Sequence, residues 1–155
     1  GIDCAIRYGD GDWPGLNATR LFAEALVPVA HPKFKDTIRK PTDLKGQKLL
    51  HSQNRREDWR VWLKAAGQTD IDPIVGQMFE TRSYAIQAAV QGMGIAVMDP
   101  AMVAEEIAGG RLVPLFDTPL PLTNAYWFVC LDHMGDAPRI KAMREWLVEE
   151  VKVAV

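Results

Sequence analysis

Residues 79–98, Phe-Glu-Thr-Arg-Ser-Tyr-Ala-Ile-Gln-Ala-Ala-Val-Gln-Gly-Met-Gly-Ile-Ala-Val-Met, hold a loop, a helix and a strand in one run, and they leave the chain few folds to choose from. Ile86, Ala89 and Val90 recur at i, i+3 and i+4 with Ala85 and Ala88 beside them. That spacing predicts a helix whose narrow face of small side chains can approach a sheet closely. Gly92 or Gly94 ends it. The apolar run 95–98 is short and bounded by turn residues, the pattern of a strand covered on both faces. Ahead of the helix, Thr81 can cap free backbone N–H groups. Arg82 falls where the helix dipole is already positive, so it is either a solvated surface arginine or it faces an anion that the same terminus attracts. The glycines do not form a phosphate-binding fingerprint, which needs a strand before them and a helix after; here the order is reversed.

Other segments repeat the alternation. Residues 2–8 read as a strand that breaks into the turn-rich Gly9-Asp-Gly-Asp-Trp-Pro-Gly15. Asp10 and Asp12 have the opening spacing of a calcium loop, but the twelfth position is Leu21 and Pro14 sits where a ligand belongs, so a plain turn with Trp13 tucked inward is expected and no metal. Residues 19–30 read as two extended pieces with a kink near Pro28. The sequence 41–44 suits a short helical turn, and 47–51 a strand. Asn54 and Glu57 have the spacing of a capping box for a helix whose Trp59, Trp62, Leu63 and Ala66 form one core stripe, stopped by Gly67. A weaker strand covers 72–78. After the central run, Asp99-Pro100 starts a short helix closed by Gly109-Gly110, 112–116 is a strand, and 125–131 is the strongest strand signal in the chain. Asp136 is expected to cap a last helix that repeats Ile140, Met143, Leu147 and Val151.

The implied fold class is α/β with mainly parallel sheets. In such sheets ligands collect at the carboxyl ends of strands near helix N-termini, which here are Arg7-Tyr8, His51-Ser52-Gln53-Asn54 and Glu80-Thr81-Arg82-Ser83. Catalysis finds no support: His51 and Ser52 are strand neighbours and point to opposite faces, and no G-x-S-x-G elbow occurs. His31 and His133 stand alone at turns and read as surface or satisfied histidines. A net charge of −2 over 155 residues gives no basic footprint for nucleic acid. Cys4 and Cys130 lie in apolar runs without C-x-x-C or Cys/His spacing, the pattern of buried free thiols in a reducing compartment. No apolar run approaches the ~20 residues of a membrane span. Gly1 opens directly into a strand without an initiator methionine, which predicts a piece of a longer chain.

An ordered set of segments carries a family resemblance. Gly1-Ile-Asp-Cys-Ala-Ile-Arg-Tyr-Gly-Asp-Gly-Asp-Trp-Pro-Gly-Leu16, Ala25-Leu-Val-Pro-Val-Ala-His-Pro32, Pro41-Thr-Asp-Leu44, Leu49-Leu-His51, Trp59-x-x-Trp-Leu63, Ala85-Ile-Gln-Ala-Ala-Val-Gln-Gly-Met-Gly-Ile-Ala96, Gly110-Arg-Leu-Val113 and Ala125-Tyr-Trp127 follow one another as in the effector-binding domain of LysR-type transcriptional regulators. The chain resembles that domain over nearly its whole length, and within the family the branch of glycine-cleavage regulators. The resemblance implies a type II periplasmic-binding-protein-like fold: two α/β lobes joined by two crossover strands, at 26–30 and 124–129, with an effector in the cleft between them. Lobe one would be 1–28 with 125–155, and lobe two 29–124. Implied effector contacts are Arg7, Tyr8, His51, Ser52, Gln53, Asn54, Thr81, Arg82, Asn124 and Tyr126, and the arginines suggest a small anionic metabolite. The family's winged helix-turn-helix, linker helix and first two βα units would precede Gly1, so lobe one is expected to be incomplete, with exposed apolar surface and an unpaired sheet edge. DNA would then be bound only through that preceding domain, in a cytoplasmic homo-oligomer, a dimer or tetramer, without membrane, cofactor or enzymatic activity. A periplasmic solute-binding protein of a transporter is the alternative on the same fold.

Overall fold

Seven consecutive residues, Ala-Tyr-Trp-Phe-Val-Cys-Leu, are aromatic, β-branched or otherwise apolar enough to be covered on both sides, and the chain puts them in the middle of a sheet. The computed structural model describes residues 4–117 and 119–154; the part of the first expected strand at Ile2 lies outside them. Strands β1 (Cys4–Gly9) and β2 (Leu16–Phe22) both pair antiparallel with β9 (Ala125–Leu131), in the order β1-β9-β2. Helix α4 (Pro138–Ala154) covers one face, where Phe128, Cys130 and Ile140 are buried and Cys4, Leu21, Ala137 and Leu147 pack against them. The helix starts two residues past Asp136, with Lys141 N donating to Ala137 O at 2.9 Å, so Asp136 belongs to the preceding turn and not to the cap. On the other face a groove of about 270 Å3 is lined by Ala5, Arg7, Leu16, Val129 and Leu131 with the two cysteines, while Ile6, opposite Phe128 on the α4 side, is 56% exposed. Among the described residues β1 has no strand on its outer edge. These elements make up one compact unit, Gly1–Glu24 with Pro121–Val155; Ala25–Leu120 make up a second.

The second unit is built around β3 (Ala25–Ala30), β4 (Leu50–Ser52), β5 (Gln77–Phe79), β6 (Ala96–Met98) and β7 (Val113–Pro114), with β8 (Leu120–Pro121) also pairing with β3. Helix α1 (Asp58–Ala65) joins β4 to β5 and α2 (Arg82–Val90) joins β5 to β6, two crossovers that bring successive strands in parallel. β4 runs parallel to β5, and Leu49 bridges parallel to Ile95 beside it. β3 enters without a helix crossover, and it pairs antiparallel with both β6 and β7. The expectation of mainly parallel sheets is therefore corrected. It holds where α1 and α2 connect β4, β5 and β6, and fails for β3 and for the sheet of the first unit.

Pro28 does not mark a kink. It sits inside β3 opposite Val97 and gives its carbonyl to Leu115 N at 2.9 Å, so its missing N–H falls just past the short ladder with β7. The break between the two extended pieces lies instead at Ala23–Glu24. The core holds Val27, Val29, Leu50, Ala88, Ala89, Ala96, Met98, Val103 and Leu112, with Ile86 and Val90 half-buried against it. Trp59 and Trp62 are 1% and 5% exposed, as their stripe predicts, and Trp59 Nε1 donates to Leu50 O at 3.0 Å, tying α1 to β4. A third, short helix α3 (Ala104–Ala108) follows a turn capped by Asp99, whose Oδ1 accepts from Ala101 N and whose Oδ2 accepts from Ala25 N.

Residues 72–76, expected to be extended, turn instead, with Ile74 N donating to Asp72 Oδ1 at 3.0 Å and Val75 N to Asp72 O at 3.3 Å; Gly76, at φ +115°, then passes so close to Leu49 that a Cβ would collide with the Leu49 backbone. Gly67, at φ +73°, has open space where its Cβ would be. Gly67→Ala is expected to cost about 1–2 kcal/mol for the left-handed backbone alone, and Gly76→Ala distinctly more, measured as the difference in urea midpoints. In the helical turn at Pro41–Leu44, Asp43 accepts the amides of Arg39 and Lys40 at 3.0 and 3.1 Å, and these two bonds hold its carboxyl below its ordinary value of 3.8. The folded value is the lower one, so the stability Asp43 contributes is present above 3.8 and is lost as pH falls through the folded value. A carboxyl-carbon NMR titration should place the Asp43 midpoint below 3.8.

Candidate functional site

The parallel strands of the second unit end where two helices begin. β4 runs out through Ser52 into a tight turn at Gln53–Arg55 and then α1; β5 runs out through Phe79 to Thr81 and α2. Both helix N-termini and the carboxyl ends of β4 and β6 therefore border one pocket, the place an α/β crossover offers a ligand. His51, Ser52, Arg55, Asp58, Trp59, Arg82 and Ala85 line it, together with β6. It holds about 10 Å3, room for about one water molecule or for the tip of a larger ligand.

Its charged groups are partly locked in place. Arg55 and Asp58 are both 8% exposed, and the guanidinium grips one carboxylate oxygen twice, Nη2 to Oδ1 at 3.1 Å and Nε to Oδ1 at 3.3 Å. His51 is 6% exposed, and its Nε2 donates to Val75 O at 3.0 Å, which fixes the ring and leaves Nδ1 as an acceptor in the neutral form. Thr81 Oγ1 accepts from Tyr84 N at 3.4 Å, the cap expected of it, and Arg82 in the first turn is half-buried at the pocket wall. Two guanidiniums and a carboxylate thus stand at this wall beside two positive helix ends.

Of the residues singled out in this unit, the fold brings together His51, Ser52 and Arg82. Gln53 and Asn54 are exposed in the turn, Thr81 is exposed at its cap, and none of the three lines the pocket. Asn54 and Glu57 do not form a capping box. The turn at Gln53–Arg55 delays the helix to Asp58, and Glu57 binds Arg60 Nε at 2.9 Å instead. Arg55 and Asp58 were missed by the sequence reading, although opposite charges three positions apart beside a buried tryptophan are a signal that could have found them.

In the first unit Tyr8 and Tyr126 face each other across β1 and β9, ring centres 5.0 Å apart, and Phe22 stacks on Tyr126 at 4.9 Å. Asn124 is exposed just before β9. Arg7 points to the opposite face of the sheet: its guanidinium lies 5.2 Å over the Trp13 ring, which meets Trp127 edge-on, and Trp127 Nε1 donates to Gly9 O at 3.0 Å. Strand neighbours alternate faces, so Arg7 and Tyr8 do not contact one ligand from the same side. Trp13 is half-buried, in line with the inward turn expected of it.

The LysR substrate binding domain profile matches residues 1–152. The chain is similar to the glycine cleavage system transcriptional activator of Escherichia coli K12, 37% identical over 150 residues that are 95% of this chain and 49% of that protein. It is 34% identical over 154 residues to the transcriptional activator AmpR of Pseudomonas aeruginosa, 99% of this chain and 51% of AmpR. The chain thus spans about half the length of the curated relatives it matches. Its fold superposes on the effector domain of Pseudomonas aeruginosa AmpR with a TM-score of 0.80 at 33% identity, over 98% of this chain and 73% of that one. The regulatory domain of CrgA from Neisseria meningitidis, 24% identical with a TM-score of 0.70 over 97% of this chain and 76% of that one, shares the fold. The chain belongs to the LysR substrate binding domain family and has the periplasmic-binding-protein-like fold of its effector-domain relatives.

Proposed function

We propose that this chain is the sensing part of a longer cytoplasmic, homo-oligomeric transcription regulator, and that it binds a small anionic metabolite whose differential affinity for two arrangements of the protein changes DNA binding. The observation that carries the anion is the second-unit pocket: Arg82 on the first turn of α2, the buried Arg55 with its partner Asp58, and two helix N-termini converge there. A carboxylate suits this wall, since a guanidinium fork and backbone N–H groups both donate to it. Because the pocket has room for little more than a ligand's tip, the metabolite's charged end enters it and the remainder stays outside. His51 and Ser52 both border the pocket at the end of β4, and since strand neighbours alternate faces one of the two side chains meets the ligand. In the first unit, Tyr8, Tyr126 and Asn124 are the proposed contacts, and Arg7 is set aside because it serves the Trp13 platform. The names of the relatives, all activators of transcription, favour a regulator over a transporter's solute-binding protein or an enzyme.

Isothermal titration of the chain against a panel of small mono- and dicarboxylates tests the reading. For a carboxylate that binds, Arg82→Ala is expected to weaken affinity roughly 10- to 100-fold, the loss of one charge-assisted contact of about 1.5–3 kcal/mol. Unchanged affinity removes Arg82 from the site. The Arg55–Asp58 pair calls for a stability measurement. Asp58→Ala leaves a buried guanidinium without its carboxylate and is expected to cost about 3–5 kcal/mol, while the double replacement Arg55→Met with Asp58→Leu recovers most of it, compared by urea unfolding.

A further inference from the structure

The register of β1 against β9 sets Cys4 directly opposite Cys130, and both are free thiols. They are 126 positions apart in sequence, so only the fold makes them neighbours. Directly opposed residues of an antiparallel pair have Cα atoms about 4.5–5.5 Å apart and side chains on one face. A disulfide spans Cα separations of about 4.4–6.8 Å. The face they share is the one under α4: the Cys4 thiol donates to Met143 Sδ at 3.6 Å, and Arg144 Nη2 donates to Cys130 Sγ at 3.9 Å. Asn17, opposite Cys130 on its other side, accepts from Arg144 at 3.3 Å, so Met143 and Arg144 roof a cross-strand row of Cys4, Cys130 and Asn17. The two thiols differ in access: Cys130 is 2% exposed and Cys4 is half-buried.

We propose that Cys4 and Cys130 are a dithiol that a peroxide oxidises to an intramolecular cross-strand disulfide. The accessible Cys4 thiol reacts first: hydrogen peroxide transfers one oxygen to its sulfur, giving the sulfenic acid and one water. The Cys130 sulfur then attacks the Cys4 sulfur, the S–O bond breaks, and the departing hydroxide takes the Cys130 proton as a second water. Both cysteines are oxidised by one electron each and the peroxide is reduced by two. A small dithiol restores the free pair by exchange. The bond would fasten β1, an outer strand carrying Tyr8, to the central strand of its sheet.

The test is mass spectrometry of the intact chain after brief hydrogen peroxide treatment, with peptide mapping. The expected result is a monomer lighter by 2 Da with a linked Cys4–Cys130 peptide, reversed by dithiothreitol. Cys130→Ser should instead trap a sulfenic acid at Cys4 that dimedone labels, and Cys4→Ser should leave the buried Cys130 thiol unmodified under the same dose. A wild-type chain that gains oxygen without the 2 Da loss, or that crosslinks only between molecules, overturns the proposal. The peptide map of the wild type needs no variant to fold.

Discussion

The close approach of α2 to its sheet fixes the rest of the second unit. Ala85, Ala88 and Ala89 are 1%, 5% and 0% exposed, and Ala88 and Ala89 pack in one core with Val27 and Val29 of β3, Leu50 of β4, and Ala96 and Met98 of β6. Single methyl groups let the helix backbone come nearer to the strands than leucine would. Gly94, at the return to β6, meets the same limit, since a Cβ there would stand 2.5 Å from Lys48 O. Each added methylene on this face would have to be absorbed by backbone shifts costing about 1–3 kcal/mol. The shift would not stay local. The N-terminus of α2 carries Arg82, and its distance from the carboxyl ends of β4 and β6 is set by how low the alanine face sits.

That constraint was legible in the sequence because it is periodic. The alanine stripe, the two-tryptophan stripe and the unbroken apolar run of β9 each announce themselves by spacing; Ala85, Ala88, Ala89, Trp59 and Trp62 are buried, and so are Ala125, Phe128, Val129 and Cys130 of β9, with Leu131 exposed at its end. Strand direction was not legible. Nothing in the composition of 25–30 tells whether its neighbours run with it or against it; the information lies in the connections, a helix before β5 and β6 and none before β3. The same holds for the turn at Gln53–Arg55. Asn54 and Glu57 satisfy a local rule for a cap, but the chain first has to leave β4, and the turn it makes there moves the helix start to Asp58.

The candidate pocket was legible by location and not by residue. Loops at the ends of apolar strands pointed to His51, Ser52 and Arg82, which do share a pocket, yet took Gln53 and Asn54 along with them and passed over Arg55 and Asp58. Alternation along a strand separates His51 from Ser52 as a hydrogen-bonded dyad, and it separates Arg7 from Tyr8 just as firmly: one lies over Trp13, the other against Tyr126. Cys4 and Cys130 show the opposite failure. Each is ordinary in its own apolar run, and their meeting depends on a register between strands at the two ends of the chain.

The buried Arg55–Asp58 pair is a poor way to hold a protein together. Two charges that leave water lose several kcal/mol of hydration apiece, and a well-packed apolar pair in their place is often as stable or more so. Its position is therefore more telling than its energy. It lies at the first turn of α1, beside the first turn of α2, at a wall where Trp59 and Ala85 exclude most of the solvent. There a charge fixed by two hydrogen bonds acts through a lower dielectric than a surface lysine would, so its field on a neighbouring group is stronger and its orientation is set in advance. Asp58 Oδ1 accepts from both Nε and Nη2 of the guanidinium and takes up part of its charge. What remains adds to Arg82 and to the two helix ends. The apolar core of the unit can supply the stability this pair does not, and in the proposed reading the pair serves recognition of an anion beside Arg82 and the helix N-termini.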